Sequence, residues 1–215
     1  MSKDCLFFVG VAVLWLSTSV IHGAKVGEKA PDFQGKDSHG KTWRLSDAKG
    51  KFLVLEWHNH DCPFTQSQYK GKMQKLQQEW TAKGVLWLRV ISSAPGKEGY
   101  VSSKQANLDA ARNGCAATAT LLDPKGVIGR AYGAKTTPHL FIIDTKGNLI
   151  YNGAVDNAPL DDDFSVLTKE GKPYENYVEQ GLFEATGGAK VSIPSTVPYG
   201  CGIKYQEENL PAKLQ

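Results

Sequence analysis

Residues 52–69 read FLVLEWHNHDCPFTQSQY, and the change of pattern inside this stretch decides the fold. The first six residues are almost continuously apolar, which is typical of a strand buried on both faces of a sheet. Pro63 then suits the first turn of a helix. That helix is indicated by apolar residues at spacings of four, three and four, namely Tyr69, Met73, Leu76 and Trp80. A second apolar run, residues 85–91, follows the helix, so we expect a parallel strand–helix–strand unit with Cys62 at its first junction.

The rest of the chain predicts further strands and helices around this unit. Short extended pieces are expected at residues 32–34 and 42–45, on either side of a turn cluster at residues 37–40. Helices are expected at residues 101–112, at a short segment ending near residue 132, and at residues 174–185. Strands are expected at residues 120–122, 139–144 and 149–152, the last two joined by a hairpin turn. Residues 156–172 are polar and acidic and are interpreted as a loop.

The composition suits one ordinary globular domain with decorations. The chain has 215 residues and a formal net charge of +3, and its Lys and Arg residues are scattered rather than clustered. Nucleic-acid binding needs a basic stripe or patch. The sequence contains none, so nucleic acid is not an expected partner.

The N-terminus carries an uncharged apolar run. Residues 5–20 read CLFFVGVAVLWLSTSV, which is shorter than the roughly 20 residues that a spanning helix needs. With Lys3 before it and Gly23-Ala24 after it, the run predicts a secretory signal peptide at residues 1–24; the alternative is an uncleaved anchor. We therefore expect a periplasmic or secreted protein that is free of the membrane after cleavage. Its domain would span residues 25–186 and an extended tail residues 187–215.

Cleavage would leave three cysteines, Cys62, Cys115 and Cys201. Disulfides persist in an oxidising compartment, and an odd number leaves at least one thiol free, transiently paired or paired between chains. Cys201 lies between two glycines, whose backbone freedom allows close approach to another segment. Three alternatives stay open for it: a structural disulfide with Cys115, a resolving role opposite Cys62, or a free thiol. Cys115 itself is interpreted as a packed thiol without a role.

Three groups of motifs carry a family resemblance. They are APDF, GK, LSD and KGK between residues 30 and 51, then CPF and LLDPKGVIGRAYGAKTTPHLFIID, and finally YGCGIKY at residues 199–205. On these motifs the sequence resembles the alkyl hydroperoxide reductase/thiol-specific antioxidant (redoxin) family, in its peroxiredoxin-like members, over residues 30–205. The resemblance implies a thioredoxin-like α/β fold. This is a three-layer sandwich of a central mixed β-sheet with helices on both faces, an N-terminal β extension and an irregular C-terminal tail.

The motif at the helix start departs from both well-known patterns. Thioredoxins carry Cys-x-x-Cys there, whereas this chain has Cys62-Pro63-Phe64-Thr65. Cys62 matches the first thioredoxin cysteine, and Thr65 replaces the second, with which the peroxide-reducing cysteine of true peroxiredoxins aligns. Peroxidase activity therefore does not follow from the family alone. Thr65 cannot resolve a mixed disulfide, so another thiol must do so.

Cys62 is the candidate nucleophile. The thiolate is the reactive form, and the free N–H groups and dipole at a helix N-terminus favour the anion. His58 and His60 would add positive charge, and Asp61 opposes it. The alternative is a plain buried cysteine. The Thr65 hydroxyl would either donate to a Cys62 thiolate or serve as a solvated or capping group.

Pro138 matches the proline that is cis in thioredoxin-like folds. The resemblance implies that this cis bond brings the Thr137 backbone next to Cys62, where an extended substrate can pair with it, and that His139 lies near the same junction. The alternative is an ordinary trans proline at the start of a strand.

We therefore predict an exported thioredoxin-like oxidoreductase with antioxidant activity. This enzyme would perform thiol–disulfide exchange or peroxide reduction through Cys62, with Thr65, Thr137 and Pro138 around it. Its expected partners are a protein thiol or disulfide, a small thiol or a peroxide, and no organic cofactor is implied. One alternative is a copper- or zinc-binding or chaperone module, since thiolate and imidazole suit these metals; its ligands would be His58, His60, Cys62 and His139. Another is a non-catalytic thioredoxin fold that binds exported partners, and the sequence leaves the oligomeric state open.

Overall fold

The computed structural model describes residues 23–158, 160 and 171–207. The predicted signal peptide lies almost entirely outside the described residues, and so does most of the predicted acidic loop. In the part of the chain that is described, no helix is both long enough and apolar enough to cross a membrane.

Nine strands and five α-helices make up the described structure, together with a short 3-10 helix at Leu45–Ala48. The strands are β1 (Gln34–Asp37), β2 (Thr42–Arg44), β3 (Leu53–Trp57), β4 (Leu86–Ile91), β5 (Ala119–Leu122), β6 (Thr136–Thr137), β7 (His139–Ile143), β8 (Leu149–Gly153) and β9 (Cys201–Gly202). The helices are α1 (Pro63–Gln68), α2 (Lys72–Ala82), α3 (Ser103–Arg112), α4 (Val127–Tyr132) and α5 (Tyr177–Thr186).

Seven of these strands form one mixed sheet in the order β2-β1-β5-β4-β3-β7-β8. β3, β4 and β5 are parallel, as the strand–helix–strand pattern predicts, and the other pairings are antiparallel. β3 lies inside the sheet, and all five of its residues are buried, which explains why its sequence shows no alternation. β6 and β9 form a separate two-stranded antiparallel ladder.

Helices cover both faces of the sheet. On one face, Leu53, Leu55 and Trp57 of β3 belong to a core that includes Ile128 and Tyr132 of α4. On the other face, Val54 belongs to a core that takes its helical side chains from α2 and α5, namely Met73, Leu76, Trp80, Val178 and Leu182. The strands alternate between these two cores because successive side chains of a strand point to opposite faces.

The single helix predicted from Tyr69 to Trp80 is wrong in one respect. The chain forms α1 and α2 as separate helices, with a break at residues 69–71. Gly71 has a φ of 129°, which residues with a Cβ rarely adopt, so the helix is interrupted there. Met73, Leu76 and Trp80 still share one buried face because all three lie within α2.

The first predicted strand is displaced. β1 covers residues 34–37 rather than 32–34, and it pairs with β2 and β5. The turn sets this register, because the carboxylate of Asp37 accepts hydrogen bonds from the backbone N–H groups of His39 and Lys41, both at 2.9 Å. Phe33 is buried in the core but precedes the ladder.

Candidate active site

Cys62 lies where β3 gives way to α1. It is the N-cap residue of α1, its backbone N–H donates to the Asn59 carbonyl at 3.2 Å, and its carbonyl accepts from the N–H of Gln66 at 2.9 Å. Pro63 occupies the first helical turn, as predicted. The Cys62 side chain is fully buried, with 0% exposure. The junction therefore places a thiol at a helix N-terminus and closes it from solvent.

The Thr137–Pro138 peptide bond is cis, as the resemblance implies. The Cys62 thiol donates to the Thr137 carbonyl oxygen at 3.0 Å, so the expected proximity of these two residues is present. This hydrogen bond exists only while the thiol is protonated. His139, one residue further, begins β7 and is buried.

The C-terminal segment brings a second thiol to the same place. Cys201 of β9 is the direct antiparallel partner of Thr137 of β6. Thr137 contacts both cysteines, because its carbonyl accepts from the Cys62 thiol and its hydroxyl donates to the Cys201 carbonyl at 3.4 Å. Neither cysteine is in a disulfide. Of the three alternatives left open for Cys201, the structure therefore brings it to Cys62 and not to Cys115.

The two thiols differ in acidity. Burial raises the pKa of Cys62, but hydrogen bonds from the side chains of Cys201 and Thr137 and from backbone N–H groups outweigh it, so the net pKa of Cys62 is lowered. Burial and the neighbouring Cys62 sulfur raise the pKa of Cys201 to about 12. Cys62 is consequently the thiol of the pair that ionises first.

Thr65 contributes its backbone rather than its hydroxyl. Its N–H is one of the backbone donors that favour the Cys62 thiolate. The Thr65 side chain is 2% exposed, and its hydroxyl has no hydrogen-bond partner among the described residues. The hydrogen bond from this hydroxyl to Cys62, one of the two alternatives from the sequence, is not formed here.

The three histidines near the junction each have another partner. His58 Nε2 lies 3.0 Å from Asp109 Oδ2, and His60 Nε2 lies 3.2 Å from Asp61 Oδ1. His139 Nδ1 accepts from the Lys135 N–H at 3.2 Å, and its Nε2 lies 2.7 Å from Asn152 Oδ1. Burial lowers the pKa of His139 to about 4, so its ring is neutral at pH 7.

The side chains that the described residues offer as metal ligands are not grouped into a site. Across residues 23–158, 160 and 171–207, no group of three or more His, Cys, Asp or Glu side chains is placed to hold a metal ion. The imidazole of His139 already uses both of its nitrogens within the protein.

A buried polar cluster, which the sequence did not reveal, lies on the α2 face of the sheet. The carboxylate of Glu56 accepts hydrogen bonds from the Tyr69 hydroxyl at 2.7 Å, Gln77 Nε2 at 2.8 Å and Trp87 Nε1 at 2.7 Å. Burial raises the pKa of Glu56, but His58, Arg89 and Tyr69 outweigh it, so the net pKa is lowered. Glu56 is therefore ionised at neutral pH.

Arg89 supplies the positive charge of this cluster. It is fully buried, donates to Asp109 Oδ2 at 3.2 Å and Thr120 Oγ1 at 3.1 Å, and is the direct parallel-strand neighbour of Glu56. The sequence signal was present, because each of two apolar strands contains one charged residue. Fully buried charges of this kind are rare unless they are paired.

Cys115 lies outside the thiol pair. It follows α3, is half-buried, and packs against the core that contains Met73 and Tyr69. Burial raises the pKa of its thiol, although the positive charge of Arg89 opposes this. The geometry agrees with the interpretation of Cys115 as a packed thiol.

Comparison with known proteins identifies the family. The model of the AhpC/TSA family matches residues 26–152, which is more than half of the chain. This chain belongs to the AhpC/TSA family. Another thioredoxin-like protein, YneN of Bacillus subtilis (strain 168), is 30% identical to it over 125 residues, which cover 58% of this chain and 69% of YneN.

Solved structures show the same fold for this AhpC/TSA chain. A hypothetical protein from Sinorhizobium meliloti 1021 aligns with a TM-score of 0.73 at 20% identity, covering 86% of this chain and 97% of that protein. A candidate thiol:disulfide interchange protein DsbE from Chlorobium tepidum aligns with a TM-score of 0.51 at 23% identity, covering 77% and 98%. The predicted thioredoxin-like α/β fold is confirmed.

Proposed function

We propose that this chain is a thiol–disulfide oxidoreductase in which Cys62 is the nucleophile and Cys201 is the resolving thiol. The observation that carries the proposal is that Thr137 contacts both cysteines: its carbonyl accepts from the Cys62 thiol at 3.0 Å, and Cys201 is its direct partner in the β6–β9 ladder. The lowered pKa of Cys62 and the raised pKa of Cys201 agree with this assignment. Membership of the AhpC/TSA family, and the likeness to the thioredoxin-like protein YneN, support a redox enzyme.

The reaction has two steps. The Cys62 thiolate attacks one sulfur of a disulfide substrate, so that the substrate S–S bond breaks, a mixed disulfide forms on Cys62, and a thiolate leaves. The Cys201 thiol then gives up its proton and attacks the Cys62 sulfur, which releases the second substrate thiol. Two electrons pass from Cys62 and Cys201 to the substrate, and an external thiol must later reduce the Cys62–Cys201 disulfide.

Cys201 takes over the part that the second cysteine plays in a Cys-x-x-Cys motif. Thr65 occupies that position on α1 and has no thiol to offer. The ladder between β6 and β9 holds Cys201 opposite Thr137, whose carbonyl accepts from the Cys62 thiol. The dithiol is thus divided between a helix start and a C-terminal strand.

Peroxide reduction is the second candidate, and the full burial of Cys62 favours it because a peroxide is small. Here the Cys62 thiolate would attack the O–O bond, forming a sulfenic acid and releasing an alcohol or water. Cys201 would then displace water from that sulfenic acid to form the same disulfide. Both candidates therefore end on one product, and the chemical nature of the oxidant distinguishes them.

The direct test is to locate the disulfide that oxidation produces. We expect the reduced protein, treated with hydroxyethyl disulfide or hydrogen peroxide, to form a disulfide between Cys62 and Cys201 and to leave Cys115 free. Peptide mapping by mass spectrometry after alkylation measures this. A Cys115–Cys201 disulfide would contradict the assignment, and three unreacted thiols would support the non-catalytic binding alternative.

We also propose that the protein is exported, on the strength of the apolar run at residues 5–20. The mature chain should begin at residue 24 or 25. N-terminal sequencing of the extracytoplasmic and membrane fractions measures this. An intact Met1 recovered in the membrane fraction would instead indicate an anchor.

A further inference from the structure

The place for an extended substrate strand is already filled by the chain itself. Extended peptides bind proteins by adding a strand to a free edge, with main-chain hydrogen bonds to the edge residues. At this site the edge is β6, which ends at Thr137 beside Cys62. β9 pairs with that edge in antiparallel register and places Cys201 opposite Thr137. β9 thus occupies the position that an extended substrate would take, and Cys201 lies where the substrate cysteine would lie.

The segment is anchored before Cys201 by a clasp made of Tyr199, Asp156 and Gln68. The Tyr199 hydroxyl donates to Asp156 Oδ1 at 2.6 Å and accepts from Gln68 Nε2 at 3.0 Å. Gln68 Nε2 also donates to Asp156 Oδ2 at 2.9 Å. The Tyr199 ring packs against Phe64 of α1, with ring centroids 5.9 Å apart. These contacts tie the segment to the helix that carries Cys62.

The segment is anchored again after Cys201. The Ile203 N–H donates to the Lys135 carbonyl at 3.0 Å, and the Lys204 carbonyl accepts from the Ala94 N–H at 2.8 Å. The Tyr205 hydroxyl donates to the Ala134 carbonyl at 2.9 Å. Because hydrogen bonds hold it on both sides, the segment forms a strap of residues 199–205 over Cys62.

Gly200 allows the strap to lie this close. Its φ is 124°, and a Cβ at this position would lie 2.1 Å from the Thr137 carbonyl oxygen and 2.7 Å from the Thr137 carbonyl carbon. Both are backbone atoms, so no change of side-chain rotamer can relieve the clash. Gly202, two residues along the same strand, has nothing within 4 Å of its Cβ position. The two glycines therefore provide a disruptive substitution and a matched harmless one.

We infer that the strap restricts Cys62 to small oxidants and excludes protein disulfides. This inference rests on the proposed function, since it takes Cys62 as the nucleophile. A small disulfide or a hydroperoxide needs only a local opening of a few contacts to reach the sulfur. A protein disulfide needs the β6 edge as well, and it can pair there only after β9 and its anchors have left. The first step is the attack of the Cys62 thiolate on an S–S or O–O bond, balanced as described above.

The test compares reagents of different size on the reduced, full-length mature protein. The rate at which free Cys62 disappears is followed by mass spectrometry with insulin, hydroxyethyl disulfide and hydrogen peroxide, separately. The variants are Gly200→Ala, which drives the strap off β6, and Gly202→Ala as the matched control. Loss of the two or more hydrogen bonds that hold β9 should raise the ratio of the insulin rate to the hydroxyethyl disulfide rate about tenfold or more in Gly200→Ala. The ratio should stay unchanged in Gly202→Ala.

The possible outcomes separate failure of the inference from failure of the proposed function. An unchanged ratio in a folded Gly200→Ala protein, or an equal rise in Gly202→Ala, would overturn the inference while leaving the proposed function intact. Failure of Cys62 to react with all three reagents in every variant would overturn the proposed function. Tyr199→Phe, which removes only the hydroxyl of the clasp, provides the same comparison if Gly200→Ala does not fold, and it should shift the ratio in the same direction. The hydroxyethyl disulfide and hydrogen peroxide arms show which small oxidant reacts faster.

Discussion

Replacing Cys201 with serine should stop the reaction after its first step. Cys62 would still attack a disulfide, but the mixed disulfide would persist until an external thiol reached it. An intramolecular thiol held next to its target has a large effective concentration, so we expect turnover to fall by about a hundredfold or more without it. Cys62→Ser should remove the first step as well, because a serine hydroxyl is not a comparable nucleophile at neutral pH. Turnover of hydroxyethyl disulfide with dithiothreitol measures both effects.

Cys115→Ser is the matched control for this prediction. Cys115 is half-buried and lies against the α2-face core, away from the thiol pair, so the same substitution there should leave turnover near that of the natural protein. Mass spectrometry should show a mixed disulfide on Cys62 in Cys201→Ser and none in Cys62→Ser. Full turnover by Cys201→Ser would refute the resolving role, because it would show that an external thiol alone suffices.

The Arg89→Met variant should lose about 3–5 kcal/mol of its free energy of unfolding. Methionine fills much of the same volume but carries no charge, so Glu56 and Asp109 would remain buried without their cation. Breaking a buried ion pair by removing one partner is costly because the remaining charge stays desolvated. For a chain of this size, the loss corresponds to a fall in Tm of roughly 6–20 °C. Urea and thermal unfolding measure it.

Arg112→Met provides the control, since Arg112 is in α3 and exposed. Surface substitutions of this kind usually change stability by no more than about 0.5 kcal/mol. Comparable losses in the two variants would mean that the cost at Arg89 does not come from leaving a buried charge without its partner. A stable Arg89→Met protein would show that Glu56 and Asp109 tolerate burial without it.

The sequence by itself determined the order of the central strands and helices and the position of Cys62, the proposed nucleophile. An apolar strand, a proline at a helix start and a second apolar strand specify a parallel crossover unit, and these are local patterns. The same patterns place Cys62 at the N-terminus of α1, where it is found. The break at Gly71 was missed because the apolar spacing runs through it, and a periodic pattern does not report the φ of one glycine.

Only the tertiary structure decided that Cys201 lies beside Thr137 and Cys62. Cys201 is far along the chain, and the sequence left it equally free to pair with Cys115, to pair with Cys62 or to stay unpaired. The position of Cys201 depends on the ladder between β6 and β9, on the clasp at Tyr199 and on the close approach of Gly200 to Thr137. None of these contacts has a local periodicity, because each joins residues that are remote in sequence.

The buried charge cluster and the partners of the histidines also depend on contacts between residues that are remote in sequence. Glu56 and Arg89 were visible as charges within apolar strands, but only the register of β3 and β4 makes them neighbours. The sequence offered His58, His60 and His139, with Cys62, as an alternative set of metal ligands, and in the fold each imidazole has a different hydrogen-bond or ion-pair partner. Local sequence therefore determined which elements form and where Cys62 lies. Long-range packing decided which polar groups meet, because hydrogen bonds between distant segments depend on the assembled sheet.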